Sequence, residues 1–329
     1  MKTKSLVVSS LLVSIASVHA TVTIQWSTVN HADNAADSTG YGSVAYEYNI
    51  SAFEITNAQY TAFLNATDPS GTNTYSLYNG SMGSSPRGGI SFVAGGAEGS
   101  KYVVKANMGD KPVNFVSWFD AARMSNWLRN GQGSGSTETG SYELLGAMSG
   151  IGFTRAAGAI GLPSENEWYK AAYYEPGGDT DGYWLNATRS NVFTPTLASA
   201  DEFGNISNPG SNVINYGSGA DWNTQNGNLT SVGSAGPASA SFFGTYDQGG
   251  NVYELNDSTS GTLGGSRGMR GGAYNDTNFA ARATSRFFFT SYAEADNVGF
   301  RLAYAVPEPS SLMVLSLGMG ATLLRRRRP

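Results

Sequence analysis

The sequence contains no cysteine and only two histidines, so it has no thiolate nucleophile and few of the side chains that bind transition metals. Without thiolates there is no disulfide, no cysteine-ligated zinc and no blue-copper centre. His19 lies in the predicted leader, which leaves His31 as the one histidine of the exported part. A Ser-His-Asp triad would have to use His31, which we interpret as a solvated loop residue. We expect no copper, iron or zinc.

Charged residues are also scarce, at 14% of 329 residues, whereas glycine (42) and tyrosine (18) are abundant. This composition is typical of a loop-rich extracellular fold more than of a helical cytosolic enzyme. The 40% of hydrophobic residues is enough for a core. No internal repeat and no proline-rich linker interrupts residues 40–305, so we predict one domain there.

Residues 1–20 have the features of a signal peptide. Lys2 and Lys4 precede an apolar run, and the tripeptide VHA at residues 18–20 provides a cleavage site of small residues. The run is short for a bilayer span, which needs about 20 residues. We therefore expect export rather than an N-terminal membrane anchor.

Residues 306–329 combine Pro-Glu-Pro, an apolar segment from Ser310 to Leu324 and four arginines. The order predicts a short transmembrane segment with cytoplasmic arginines, which leaves everything before Pro307 outside. These three parts resemble the PEP-CTERM sorting signal of Gram-negative bacteria. The resemblance implies transient membrane contact, processing by an exosortase-type protease, and export through the inner membrane to the cell surface or extracellular matrix.

The exported body is acidic. The chain has 20 basic and 25 acidic residues, and removal of Lys2, Lys4, the four C-terminal arginines and Glu308 leaves about ten net negative charges. Nucleic acid is an unsuitable partner, because its phosphates require a basic face.

Three segments carry helix-start signals, in which a hydroxyl residue precedes an acid or amide by three positions. After each of these signals, apolar residues recur at helical spacing, so we predict three short helices. We assign the aromatic residues of the third helix to the core rather than to a ligand platform. The runs YVVKA and GFRLAYA predict few, short strands between long loops. The three pairs are Thr56 with Gln59, Ser117 with Asp120, and Ser164 with Glu167.

Six sequence blocks, taken together, resemble the formylglycine-generating enzymes, also called sulfatase-modifying factor domains. The resemblance implies an irregular, loop-rich α+β single domain of the C-type-lectin-like kind, with bound calcium in its best-known members. The blocks are FEITNAQYTAFLNA, KPVNFVSWFDAARMSNWL, GLPSENEWYKAAYY, FFGTYDQGGNVYELND, RGGAYND and NVGFRLA.

The family's catalytic thiols are missing from this chain. The resemblance implies a copper-binding cysteine pair after the RGGAY block, but residues 274–286, YNDTNFAARATSR, contain neither thiol. Copper(I) is a soft ion that thiolates bind well, so we expect no formylglycine formation. The histidine-bound iron of a related sulfoxide-synthase branch has no ligands here either. Relatives of the pyoverdine-maturation type leave open catalysis without a protein-bound redox metal.

The block DQGGNVYELND contains a candidate calcium site. By its position in the family motif, it would use side chains of Asp247 and Glu254 and carbonyl groups of Gly250 and Val252. Calcium prefers such hard oxygen ligands. The alternative is a tight turn whose polar side chains cap their own backbone.

A second, weaker match to a family calcium site is the dipeptide of Asn215 and Tyr216 in NVINYGS. The loop that follows it aligns poorly with the family.

Five residues near the missing thiols are candidates for a ligand groove: Arg270, Tyr274, Asn275, Arg282 and Arg286. By family analogy, this segment would line the groove where related enzymes hold a peptide. The alternative is structural, because guanidinium groups can tie loop carbonyls and carboxylates together in a fold with little sheet.

We interpret the chain as an exported, catalytically silent sulfatase-modifying-factor-like domain that binds an extracellular polysaccharide or a peptide. One alternative is an oxidoreductase of the same family that works without the cysteine pair. Another is a structural component of the envelope.

Overall fold

The computed structural model describes residues 21–260 and 265–307. The helices of this part are short. They are α1 (Asn57–Thr67), α2 (Gly80–Ser84), α3 (Trp118–Arg129), α4 (Glu165–Tyr173) and α5 (Asp179–Gly182), with a 3-10 turn at Pro237–Ser239.

The strands are also short, and they form four small sheets. They are β1 (Trp26–Val29), β2 (Tyr48–Ser51), β3 (Ile90–Phe92), β4 (Tyr102–Val104), β5 (Thr196–Leu197), β6 (Val213–Ile214), β7 (Tyr253–Thr259), β8 (Ser266–Arg270), β9 (Phe287–Thr290), β10 (Val298–Phe300) and β11 (Ala303–Ala305).

The largest sheet is formed within residues 253–300, whereas the three-stranded sheet joins the first and last strands of the described chain. The three-stranded sheet has the order β1-β2-β11, so β2 pairs with β1 on one side and with the last strand on the other. The other has the order β10-β7-β8-β9, in which β10 runs parallel to β7 and the remaining pairs are antiparallel. Strands β3-β4 and β5-β6 form separate two-stranded pairs. Glu254 of β7 therefore lies opposite both Arg270 of β8 and Gly299 of β10.

The three predicted helix starts are confirmed. In each, the hydroxyl oxygen accepts a hydrogen bond from the backbone N–H three residues later, and the side chain of that later residue accepts from the backbone N–H of the cap. These reciprocal bonds satisfy N–H groups that a helix leaves free at its first turn. They begin α1, α3 and α4, the three longest helices of the described part.

The main core lies between α1, α3 and the sheet that contains β7 and β10. Phe63 of α1 packs on Trp127 of α3, with ring centroids 5.4 Å apart, and Phe300 of β10 belongs to the same cluster. Helix α4 has a second cluster around Trp168, which is fully buried. The assignment of its aromatic residues to the core is confirmed.

Four arginines of the described residues are also fully buried, which is unusual for charged side chains. A guanidinium group has five N–H donors in a planar fork, so one side chain can bind several loop carbonyls at once. This fold has few strand pairs, so many loop carbonyls have no partner in a sheet. The buried guanidinium groups donate hydrogen bonds to some of these carbonyls. The four are Arg123, Arg267, Arg270 and Arg301.

The architecture confirms an irregular, loop-rich α+β single domain. Within residues 21–260 and 265–307, no helix has the length and apolarity needed to cross a membrane. The signal peptide predicted at residues 1–20 and the transmembrane segment predicted from Ser310 to Leu324 lie outside the described residues.

Candidate functional site

The segment 270–286 leaves β8 through a tight glycine turn and returns to the sheet at β9. Gly271 and Gly272 have φ values of +94° and +71°, a region that favours glycine. A Cβ atom on Gly272 would lie 2.9 Å from the backbone and Cβ of Ala280. The turn therefore requires glycine, both for its backbone angle and for the close crossing of the loop over itself.

Two of the five predicted groove residues, Arg270 and Arg286, bind the same carboxylate. Arg270 Nε donates to Glu165 Oε1, and its Nη1 donates to the carbonyls of Ala283 and Ser285 at 3.0 and 2.6 Å. Arg286 Nε donates to Glu165 Oε2 at 3.0 Å. Burial acts to raise the pKa of Glu165, but Arg270 and Arg286 outweigh it, so the pKa lies below its usual value. Both arginines anchor the loop to the start of α4.

Arg282 holds an exposed pair of phenylalanines. Its guanidinium carbon lies 3.4 Å from the ring centroid of Phe193 and 4.0 Å from that of Phe279, and its Nη2 donates to the Phe193 carbonyl at 2.5 Å. The two rings meet edge to face at 5.4 Å. Phe193 is 59% exposed and Phe279 is 56% exposed, whereas Arg282 is buried. A buried cation therefore fixes two aromatic rings whose outer faces remain in solvent.

Tyr274 and Asn275 contact another part of the molecule. The Tyr274 hydroxyl donates to Asp296 Oδ2 at 2.9 Å, and the guanidinium of Arg87 lies 5.1 Å from its ring centroid. Asn275 is exposed and accepts from Asn297 Nδ2 at 3.3 Å. The five predicted groove residues thus have three separate sets of neighbours. Of the five, only Asn275 is exposed, while Arg286 is half-buried.

Glu254, a predicted calcium ligand, already accepts three hydrogen bonds. Its oxygens accept from Arg301 Nε and Nη2 at 2.5 and 2.6 Å and from Trp168 Nε1 at 2.7 Å. Both Glu254 and Arg301 are completely buried. An ion that used Glu254 would have to share it with a guanidinium group.

Asp247 and Glu54 supply the remaining carboxyl groups beside this pair. Asp247 Oδ2 accepts from the Gly233 N–H at 2.5 Å, and burial of the carboxyl raises its pKa to about 6. Glu54 Oε1 accepts from Asn251 Nδ2 at 3.2 Å, whereas Oε2 is buried and has no hydrogen-bond partner among the described residues. Burial, together with the charges of Asp247 and Glu254, raises the pKa of Glu54 well above its usual value.

This chemistry fits calcium in part. The oxygens of Asp247 and Glu54 are hard ligands, and the unpartnered oxygen of Glu54 lacks a donor or a cation. However, among residues 21–260 and 265–307 no three acidic or histidine side chains converge closely enough to bind a metal ion. Calcium at Asp247, Gly250, Val252 and Glu254 stays a prediction. Glu54 is not among the predicted ligands. One feature of the sequence that indicates its burial is its position between the apolar residues Phe53 and Ile55.

Asn215 lies directly beside this block, since it forms a parallel bridge with Gly250. Its Nδ2 donates to the carbonyl of Asn228 at 2.9 Å, while its buried Oδ1 has no partner in the described part of the chain. The hydroxyl of Tyr216 donates to the carbonyl of Pro195 at 2.9 Å. The second calcium prediction therefore also stays open, with Asn215 as its more suitable member.

Comparisons with known proteins agree on the type of domain. The family model described as "Sulfatase-modifying factor enzyme 1-like domain" matches residues 17–306, and the model of the PEP-CTERM protein-sorting motif matches residues 305–328. No curated protein sequence matches the chain.

Solved structures with similar folds include three proteins. CarF, known from its crystal structure, is 19% identical in sequence to this chain, with a TM-score of 0.53. The match covers 87% of this chain and 99% of CarF. Variable protein 1 of Treponema denticola is 18% identical, with a TM-score of 0.50, and the match covers 88% of this chain and 98% of that protein. PvdO from Pseudomonas aeruginosa is 18% identical, with a TM-score of 0.46 and coverage of 86% and 92%. At these low identities, CarF and variable protein 1 indicate a shared fold and nothing about function.

The role of Glu165 can be tested by Glu165→Gln. The change leaves Arg270 buried beside a neutral amide, and loss of one partner of a buried ion pair costs about 3–5 kcal/mol. We expect a correspondingly lower free energy of unfolding in urea. The control is Glu202→Gln, the same substitution at an exposed position. Equal stability of the two variants would contradict the anchoring role.

Proposed function

The chain belongs to the sulfatase-modifying factor enzyme 1-like family and carries a PEP-CTERM sorting motif that marks it for export and for exosortase-type processing; from this we propose that it is a binding domain. Its ligand is a glycan or a peptide at the cell surface or in the extracellular matrix. It does not form formylglycine, because the cysteine pair that the family's oxidation uses is absent.

The pair of Phe193 and Phe279 is the observation that carries this proposal. More than half of each side chain is exposed, and both rings rest on the buried guanidinium of Arg282. Exposed apolar rings favour burial against a partner. Because the rings are already fixed, a ligand that covers them loses little further side-chain entropy. Such faces suit the C–H surface of a sugar or an apolar peptide side chain.

Binding to glycan and peptide arrays tests the proposal. We expect the full chain to bind a subset of either array, and the double variant Phe193→Ala/Phe279→Ala to lose at least about tenfold in affinity with little change in Tm. Leu145→Ala is the control, since Leu145 is also apolar and exposed. Wild-type binding by the double variant would contradict the proposal. So would formylglycine produced in a cysteine-containing sulfatase peptide, measured by mass spectrometry.

Calcium bound by the Asp247 block is part of the same proposal. An ion that binds the folded state stabilises it by about 2.7 kcal/mol at a hundredfold excess over Kd, so a chelator should lower the Tm. We expect Asp247→Asn and Glu54→Gln to lose most of this calcium-dependent shift. Glu254 is unsuitable for this test because its loss leaves Arg301 unpaired. An unchanged Tm on chelation, or wild-type shifts in both variants, would exclude the site.

The tail is proposed to be a transient sorting signal rather than an anchor. A helix from Ser310 to Leu324 would measure about 22 Å at 1.5 Å per residue, against a hydrocarbon core of about 30 Å. We expect the mature protein to lack the arginine cluster, and replacement of Pro-Glu-Pro by alanines to retain a longer, membrane-bound form. Intact mass of the exported protein decides this. A native form that still ends in Arg328 and Pro329 would indicate an ordinary anchor.

A further inference from the structure

A separate cavity of about 500 Å³ opens where the start of α3 meets three loops. None of its lining residues belongs to the predicted groove or calcium sites. Its size is within the range of small-molecule sites. The side chains that matter for its chemistry are Tyr75, Phe119, Asp120, Arg123, Tyr292 and Glu294.

Two carboxyl groups line this cavity, and neither forms an ion pair with a described residue. Asp120 Oδ2 accepts from Ser117 N and Oγ, both at 2.7 Å, as part of the α3 capping box. Glu294 Oε2 accepts from Asn79 Nδ2. Burial raises the pKa of Asp120 to about 7, with a further contribution from the charge of Glu294, and burial also raises the pKa of Glu294. The cavity therefore favours a ligand that brings positive charge and hydrogen-bond donors.

Arg123, a cation that also lines the cavity, pairs with another residue. Arg123 Nε and Nη2 donate to the two oxygens of Glu138 at 2.7 and 3.2 Å, and Nη2 also donates to the carbonyl of Ala147. Arg123 offsets only part of the rise in the pKa of Asp120. Arg123 is thus paired mainly with Glu138, and a cationic ligand would stabilise the ionised forms of Asp120 and Glu294.

Arg123 also provides an independent sign of a ligand. The residue lines the cavity and is completely buried, yet its Nη1 has no hydrogen-bond partner within residues 21–260 and 265–307. Buried donors in folded proteins almost always have an acceptor. Because Arg123 lines the cavity, a bound ligand with hydroxyl or ether oxygens is a source of such an acceptor.

Aromatic rings form the apolar part of the lining. The Arg123 guanidinium lies 4.5 Å from the ring centroid of Tyr75, which fixes that ring. Phe119 is buried, whereas Tyr292 is 60% exposed at the mouth. Rings of this kind can pack against the C–H face of a pyranose, and tyrosine rings also attract cations.

We propose that this cavity binds an amino sugar with a free amine. The ammonium group donates to Asp120 and Glu294, a ring oxygen accepts from Arg123, and the C–H face packs on Tyr75 and Tyr292. A neutral sugar lacks the charge that the acids require, and a plain alkylamine lacks the acceptor oxygens. The inference goes beyond the proposed binding function, because it assigns a second ligand site at a place distinct from Phe193 and Phe279.

Calorimetric titration of the full chain with paired sugars tests the inference. The β-1,4-linked dimer of glucosamine and the same dimer of N-acetylglucosamine differ only in their acetyl groups. We expect the free amine form to bind at least about tenfold more tightly, because its charged donors face two carboxyls. Glucosamine monomer and longer oligomers are titrated in parallel. A gain in affinity with length identifies a polysaccharide as the source, and equal affinity identifies a free sugar.

Matched variants connect this binding to the cavity. Glu294→Gln should weaken binding of the glucosamine dimer at least about tenfold, and Tyr292→Ala should weaken it as well. Glu98→Gln is the control, since Glu98 is exposed and does not line the cavity. Because Tyr292 lies at the surface, its variant remains informative if Glu294→Gln fails to fold.

Several results would overturn the inference. They are equal or tighter binding of the acetylated dimer, equal binding of 1,4-diaminobutane, no binding of any probe, or wild-type affinity in Glu294→Gln and Tyr292→Ala. Each of these leaves the array test of Phe193 and Phe279 unaffected, so failure here is distinguishable from failure of the proposed function.

Discussion

The fold depends most on the buried ion pair between Arg301 and Glu254. Besides Glu254, the guanidinium binds the carbonyls of Ser51 and Tyr246, and Glu254 accepts from Trp168 of α4. One pair therefore connects the end of β2, the loop before β7, β7 itself and α4. Removal of one partner of such a pair leaves a buried charge uncompensated. The pair thus specifies how segments far apart in sequence must meet.

A second pair extends this arrangement to the candidate binding surface. Glu165, at the first turn of α4, holds Arg270 and Arg286 at the two ends of the loop that carries Phe279. Helix α4 consequently contacts both Glu254 and the loop that carries Phe279. Rigid support of loops in this way reduces the entropy lost on binding. Arg270 and Arg286, two of the predicted groove residues, form these ion pairs with Glu165, and the groove itself stays a prediction.

Local signals in the sequence predicted local structure well. The capping boxes located α1, α3 and α4, and the apolar spacing after Ser164 placed Trp168 in the core. The sequence did not predict which distant segments are in contact. Arg270 and Glu165 are 105 residues apart, and nothing in either segment identifies its partner. The unpartnered oxygen of Glu54 and the cavity between Asp120 and Glu294 were missed for the same reason.

Hydrogen exchange of the variant Arg301→Lys, followed by mass spectrometry, tests most directly whether this pair holds the domain together. Lysine keeps the charge but cannot bind two carboxylate oxygens and several carbonyls in one plane. The account predicts that exchange rises together in residues 49–53, 166–170, 244–248 and 253–256, all of which meet at the guanidinium. Faster exchange confined to the neighbours of residue 301 in sequence, with all four of these regions as protected as in the wild type, would contradict it.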